Sequence, residues 1–305
     1  LSPRLATYLN HATPVSGVKA PGAAELQARV DSYFAEAKQK YVVDGQTVQA
    51  APEFRMVGGF NQDNTNKGLK ALAAKMGNKP GQIPFSVVGH VMAGRGSPRE
   101  IGQVTQALID LGKLPPADGS KSTEKRIRAM MWEHGVGIDC AGYVQQALAS
   151  IHGKTHEQLG LKARLNEELG VLSLNPSFRQ VNLLDAQPGD VITFKDHRPD
   201  QPGHTVLVAR HQKTTAASVA RYFDPGNTNA QEFLRSKDLE VFEVDSSWGG
   251  DMDGNNRGLL RNLWVYNRET GKWAAFDQHR ARMDFGTTPY ADHTVVGTFR
   301  LKETP

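Results

Sequence analysis

Gly135-Val136-Gly137-Ile138-Asp139-Cys140-Ala141-Gly142-Tyr143-Val144 contains the single cysteine of a 305-residue chain. Val144, Ala147, Leu148 and Ile151 follow at helical spacing, which predicts a helix over about 139–153. Asp139 suits the N-cap, and Gly153 suits the left-handed residue that closes a helix. Cys140 then stands in the first turn, where unpaired N–H groups and the helix dipole favour an anion. A thiol so placed is expected to ionise near neutral pH, as a nucleophile must. The glycines at 135, 137 and 142 are read as a tight approach that leaves room for a substrate beside the sulfur. The plainer reading is a buried cysteine that caps a core helix.

Composition narrows the classes. With 39% hydrophobic and 22% charged residues, the chain is ordinary for a globular protein and long enough for one large core or two moderate ones. No apolar run reaches the length that spans a bilayer, so no membrane span is expected. No signal-like segment follows Leu1, and export stays open. One cysteine excludes an internal disulfide and a thiolate-rich metal site, which leaves the thiol for chemistry. The net charge of +4 is scattered rather than striped, so no nucleic-acid partner is expected.

Residues 1–24 read as a lead-in rich in Pro, Gly and Ala. Helices are expected at 24–41, with Leu26, Val30, Phe34 and Ala37 on one face, at 67–76, at 97–111 and at 123–134. The third opens on Ser97-Pro98-Arg99-Glu100, which has the form of a capping box with proline at the first helical position. A short strand is expected at 41–43 and a loop at Gly58-Gly59-Phe60-Asn61. Leu114-Pro115-Pro116-Ala117-Asp118-Gly119-Ser120 reads as a linker between a mostly helical extension, 1–119, and a second unit, 120–305. After an excursion through Leu159, Leu161, Leu165 and Leu169, strands are expected at 191–194, 205–209, 239–245, 263–266, 273–276 and 294–301. A polar loop fills 195–203. Helices followed by antiparallel strands make an α+β protein.

A thiol nucleophile needs a base for its proton and a polar group to orient that base. Among ten histidines, His204 stands between a Pro-Gly turn and a strand, so its ring projects at a sheet edge. Asp245 ends the next long strand, and antiparallel neighbours bring a strand start beside a strand end. A surface histidine and a turn aspartate are the plainer readings of each residue alone. His134 is a rival base. Asp251-Met252-Asp253-Gly254-Asn255 reads as a polar turn rather than a calcium loop, because no glutamate stands at the twelfth position. Trp248, Trp264 and Trp273 are either a groove wall or half-buried sheet packing.

Asp139-Cys140-Ala141-Gly142-Tyr143-Val144 resembles the D-C-[S/A]-G-[F/Y]-V segment of NlpC-like cysteine peptidases, a papain-like family. Pro188-Gly189-Asp190-Val191-Ile192-Thr193-Phe194 is similar to that family's P-G-D strand, and Gly203-His204-Thr205-Val206-Leu207-Val208 to its histidine strand. The resemblance covers about 123–301. It implies papain-like helices packed on an antiparallel sheet, with an N-terminal helical extension. It also implies Cys140 as nucleophile, His204 as base and Asp245 as orienting group, with no metal or organic cofactor. Where the family often has a tyrosine and a Trp-Gly pair before the cysteine, only Trp132 and Gly135 stand here, with Glu133 and His134 between them. The Cys140 backbone N–H is the one named oxyanion donor, and Trp132, Asp139, Gly203 and Trp248 are candidates for the oxyanion site and cleft. The implied activity is amide hydrolysis in peptidoglycan stem peptides, outside the cytoplasm: secreted, periplasmic or delivered to a rival's envelope. An effector that cleaves, deamidates or acyl-transfers on a protein substrate is one alternative. A silent binding module is the other.

Overall fold

Beyond residue 178, β-branched and aromatic residues recur in short runs, and there they build a sheet. The structure, a computed structural model, describes residues 21–56, 62–161, 175–196, 203–249, 257–277, 282–284 and 293–302. Among them, eight antiparallel strands lie in the order β3-β10-β4-β5-β6-β7-β8-β9. They are β3 (Phe178–Val181), β4 (Val191–Asp196), β5 (His204–Thr214), β6 (Leu239–Gly249), β7 (Arg257–Asn267), β8 (Lys272–Asp277), β9 (Arg282–Asp284) and β10 (His293–Leu301). Each expected strand is present, and several run longer than the apolar stretch that signals them.

Six helices of eight residues or more are described: α1 (Ala23–Ala37), α2 (Gln62–Leu72), α3 (Phe85–Met92), α4 (Pro98–Asp110), α5 (Thr123–Glu133) and α6 (Cys140–His152). The capping box of α4 forms as its sequence predicts, with the Ser97 backbone N–H donating to Glu100 Oε2 at 2.7 Å. The protein is α+β, and among the described residues no helix is long and apolar enough to cross a membrane.

Three expectations change. The helix expected over 24–41 stops at Ala37, because the next residues pair as a hairpin of β1 (Gln39–Val43) and β2 (Gln46–Ala50). Asp44 and Gly45 turn it with φ of 51° and 78°, the double left-handed turn that matches strand twist. The helix expected at 67–76 begins at Gln62, and α3 was not foreseen. Most importantly, the core does not divide at the 119/120 boundary. One apolar cluster joins Val30 and Tyr33 of α1, Ile101 and Leu108 of α4, Met130 of α5, Tyr143 and Leu148 of α6, and Leu207 and Leu301 of the sheet. Tyr33 and Tyr143 rings lie 5.6 Å apart, and Arg29 Nη1 donates to the Ile151 carbonyl at 2.7 Å. The first third therefore packs into the same core as α5, α6 and the sheet.

The opposite face of the sheet carries a second cluster, with Ile192, Phe194, Val206, Val208, Phe242, Val244, Trp248 and Trp264. Gly58-Gly59-Phe60-Asn61, Leu165, Leu169, Asp251-Met252-Asp253-Gly254-Asn255 and most of the lead-in and of the 195–203 loop lie outside the described residues.

Candidate active site

α6 starts and stops where its sequence predicts. Asp139 is the N-cap and accepts the Gly142 N–H at 2.6 Å, while Gly153 ends the helix at φ 59°. Cys140 is the first helical residue and is partly exposed. The approach to the cap is pinned by the first third of the chain. Ile138 N–H donates to the Glu53 carbonyl at 2.9 Å, Arg55 N–H to the Ile138 carbonyl at 3.1 Å, and Asp139 N–H to the Gly94 carbonyl at 3.1 Å. A Cβ at Gly137 would collide with the Glu53 carbonyl oxygen, and one at Gly142 with that of Gly94. These glycines thus admit neighbouring backbone rather than a substrate, which corrects the expectation.

The sheet opens where the helix meets it. The β5–β6 ladder ends at Leu207 opposite Asp245. Beyond that pair the Thr205 carbonyl accepts the Ser246 hydroxyl at 2.7 Å, and the Thr205 N–H donates to the Cys140 thiol. Ser247 Oγ donates to the Ile138 carbonyl at 2.7 Å, which ties the same end of β6 to the segment before the cap. The sulfur therefore sits against the peptide that joins His204 to Thr205. His204 opens β5 opposite Phe194 of β4, and its ring stacks on Trp248 with centroids 4.1 Å apart. The structure thus brings Cys140, His204 and Trp248 to one end of the sheet.

Asp245 is not part of that group. Residues 204 and 207 differ by an odd number, so their side chains leave opposite faces of β5. Asp245 stands across from Leu207 on the helix side, whereas the His204 ring lies against Trp248 on the other. Asp245 is fully buried, and Arg261 grips both its oxygens, Nε to Oδ1 at 2.7 Å and Nη2 to Oδ2 at 2.8 Å. Arg261 also pairs with Asp31 of α1. The expected role of Asp245 as orienting group for His204 is therefore replaced by a structural one, joining α1 to β6 and β7.

The electrostatics also depart from expectation. Burial pushes the Cys140 thiol up to about 12, and the Asp139 carboxylate acts the same way. The N–H groups of Thr205 and Ala141 and the Arg95 guanidinium oppose that rise without cancelling it. Desolvation and the Asp139 charge outweigh these donors and the cation, so the resting thiol is neutral. Burial likewise raises Asp139 to about 6 against the pull of Arg95 and the Gly142 N–H.

The remaining candidates separate cleanly. Trp132 carries the Arg257 guanidinium over its ring at 3.8 Å, and its carbonyl accepts from Asn64 at 2.9 Å, so it is a packing platform. Gly203 is exposed and leads into His204. His134 caps α5, and its charged neighbours are Glu133, Lys113 and Lys67. Trp264 and Trp273 pack edge to face at 5.6 Å within the sheet's aromatic layer. Among the described residues no three of His, Cys, Asp and Glu are grouped to hold a metal ion. Arg95, Thr205 and Ser246 are the site residues missed in the sequence. Arg95 is 44 positions from its partner Asp139, and no local signal connects them. No protein-family model, curated protein or solved structure matches this chain.

Proposed function

We propose that the chain is a papain-like cysteine-dependent amide hydrolase, acting on peptidoglycan stem peptides outside the cytoplasm. One observation carries the reading: a cysteine at the first position of a helix, its sulfur bonded to the N–H of the residue that follows a strand-opening histidine. Because the thiol rests neutral, His204 acts as a general base during attack instead of holding a preformed ion pair. The Cys140 sulfur bonds to the amide carbonyl carbon while its proton passes to His204. The oxyanion meets the Cys140 backbone N–H, one of the N–H groups that a helix start leaves outside its own hydrogen-bond ladder. His204 then gives the proton to the leaving amine, and water cleaves the thioester to release the acid and restore the thiol. Trp248 holds the imidazole by stacking.

A second reading, a binding module that keeps the architecture without turnover, is favoured by two observations: the raised thiol and the Arg261-bound Asp245. Incubation of purified sacculi with wild type, Cys140→Ala and His204→Ala, followed by mass spectrometry of released fragments, decides between them. The expected result is fragments from wild type alone, with all three proteins folded. Equal release by the Cys140→Ala protein, or binding to sacculi without release by wild type, rejects the hydrolase.

A further inference from the structure

Arg95 enters from the turn between α3 and α4, outside every segment that resembles a peptidase. Its Nη1 donates to Asp139 Oδ1, the oxygen that also accepts the Gly142 N–H. The pair is nearly closed to solvent, with 10% and 3% of the two side chains exposed. The backbone of Arg95 is held on both sides. Its N–H donates to the His90 carbonyl at 2.8 Å, its carbonyl accepts from Gln146 Nε2 of α6 at 2.9 Å, and it bridges Ile138. The cation is thus tied to the segments immediately before and after Cys140.

A buried carboxylate one residue from a thiol opposes the thiolate, and a guanidinium on that carboxylate relieves the opposition. The groups facing the sulfur are Asp139, Arg95 behind it, and the N–H groups of Thr205 and Ala141, with His204 next to Thr205. Arg55, held by the Met92 carbonyl and Thr65, sets a second cation toward Asp139. Resting on the hydrolase reading, we infer that Arg95 is a positioning residue of the thiol site. It holds the Asp139 carboxylate where that group caps α6 while its charge is balanced beside Cys140. The N-terminal third therefore completes the site as well as walling it.

The experiment measures iodoacetamide alkylation of Cys140, the only cysteine, in full-length Arg95→Gln, Arg95→Lys and Asp139→Asn proteins across pH 7 to 11. Circular dichroism serves as the fold control. At pH 9 Arg95→Gln is expected to react about tenfold slower than wild type and Asp139→Asn about tenfold faster, since a charge of opposite sign is removed in each. Arg95→Lys, which keeps the charge, falls between Arg95→Gln and wild type. Mere loosening of the helix start would speed both variants, so changes in the same direction, or none, overturn the inference. Should Arg95→Gln fail to fold, Arg95→Lys and Asp139→Asn decide: an Asp139→Asn rate no faster than wild type overturns it. Fragment release from sacculi separates the two readings. An inactive wild type with diverging alkylation rates rejects the hydrolase and keeps the role of Arg95, whereas an active one with unmoved rates rejects Arg95 alone.

Discussion

Replacing Arg261 by methionine tests how the N-terminal third is joined to the sheet. Asp245 is fully buried, both its oxygens end on Arg261, and the same guanidinium reaches Asp31 of α1. Methionine keeps much of the apolar stem and removes the cation. Burial raises the Asp245 carboxyl from 3.8 to about 6 even with Arg261 in place, so it is ionised at pH 8 and protonated at pH 5. Without Arg261 the carboxyl rises further and stays protonated at both. The lost ion pair then costs about 1.4 kcal/mol for each pH unit above 6, about 3 kcal/mol at pH 8 and almost nothing at pH 5. The other lost bonds add about 1 kcal/mol at either pH. The total is about 4 kcal/mol at pH 8, within the range for a broken buried pair, and about 1 kcal/mol at pH 5. The direction follows from linkage. Between pH 3.8 and about 6 the fold keeps a proton that the unfolded chain releases, so this group costs wild type stability as pH rises through that window and is level above it. In the variant the decline continues past pH 8, and the gap between the two curves widens only above pH 6. Urea unfolding followed by tryptophan fluorescence at pH 5 and pH 8 measures both differences. Equal losses at the two pH values, or a loss under about 1 kcal/mol at pH 8, would refute a carboxylate held by Arg261.

Three further outcomes are expected. With its thiol pushed up to about 12, Cys140 should react with iodoacetamide at pH 7 about a hundredfold slower than free cysteine at about 8.5, the smaller thiolate fraction being partly offset by the greater nucleophilicity of a more basic thiolate, and a rate matching free cysteine would refute the raised thiol. Gly142→Ala sets a Cβ against the Gly94 carbonyl oxygen, so its urea midpoint should report a loss of about 1–3 kcal/mol; an unchanged midpoint would mean that the two backbones can separate freely. Deleting residues 1–112 removes Val30, Tyr33, Ile101, Val104 and Leu108 from the shared core, so size-exclusion chromatography should find aggregate; a soluble, cooperatively unfolding remainder would restore a boundary near the Pro-Pro segment.

Much of the architecture was legible because its signals act over a few residues. Asp139 and Gly153 bracket α6, and Ser97 with Glu100 starts α4, since caps satisfy N–H and C=O groups within one turn. The strands and the α+β class follow from local alternation and turn chemistry. The Asp44-Gly45 turn is equally local, but apolar spacing that continues past Ala37 into Tyr41 masks the start of its first strand. What only the tertiary structure decided is which group meets which. Strand order suggested that Asp245 meets His204, but the pleat sends the two to opposite faces, and Asp245 goes to an arginine that also grips Asp31, 230 positions from it. The Cys140 thiol shows the same division. Its place at a helix start is written in the residues beside it. Its protonation depends on desolvation by everything packed around it, including Arg95 from 44 positions before the cap, and that is a property of the folded body alone.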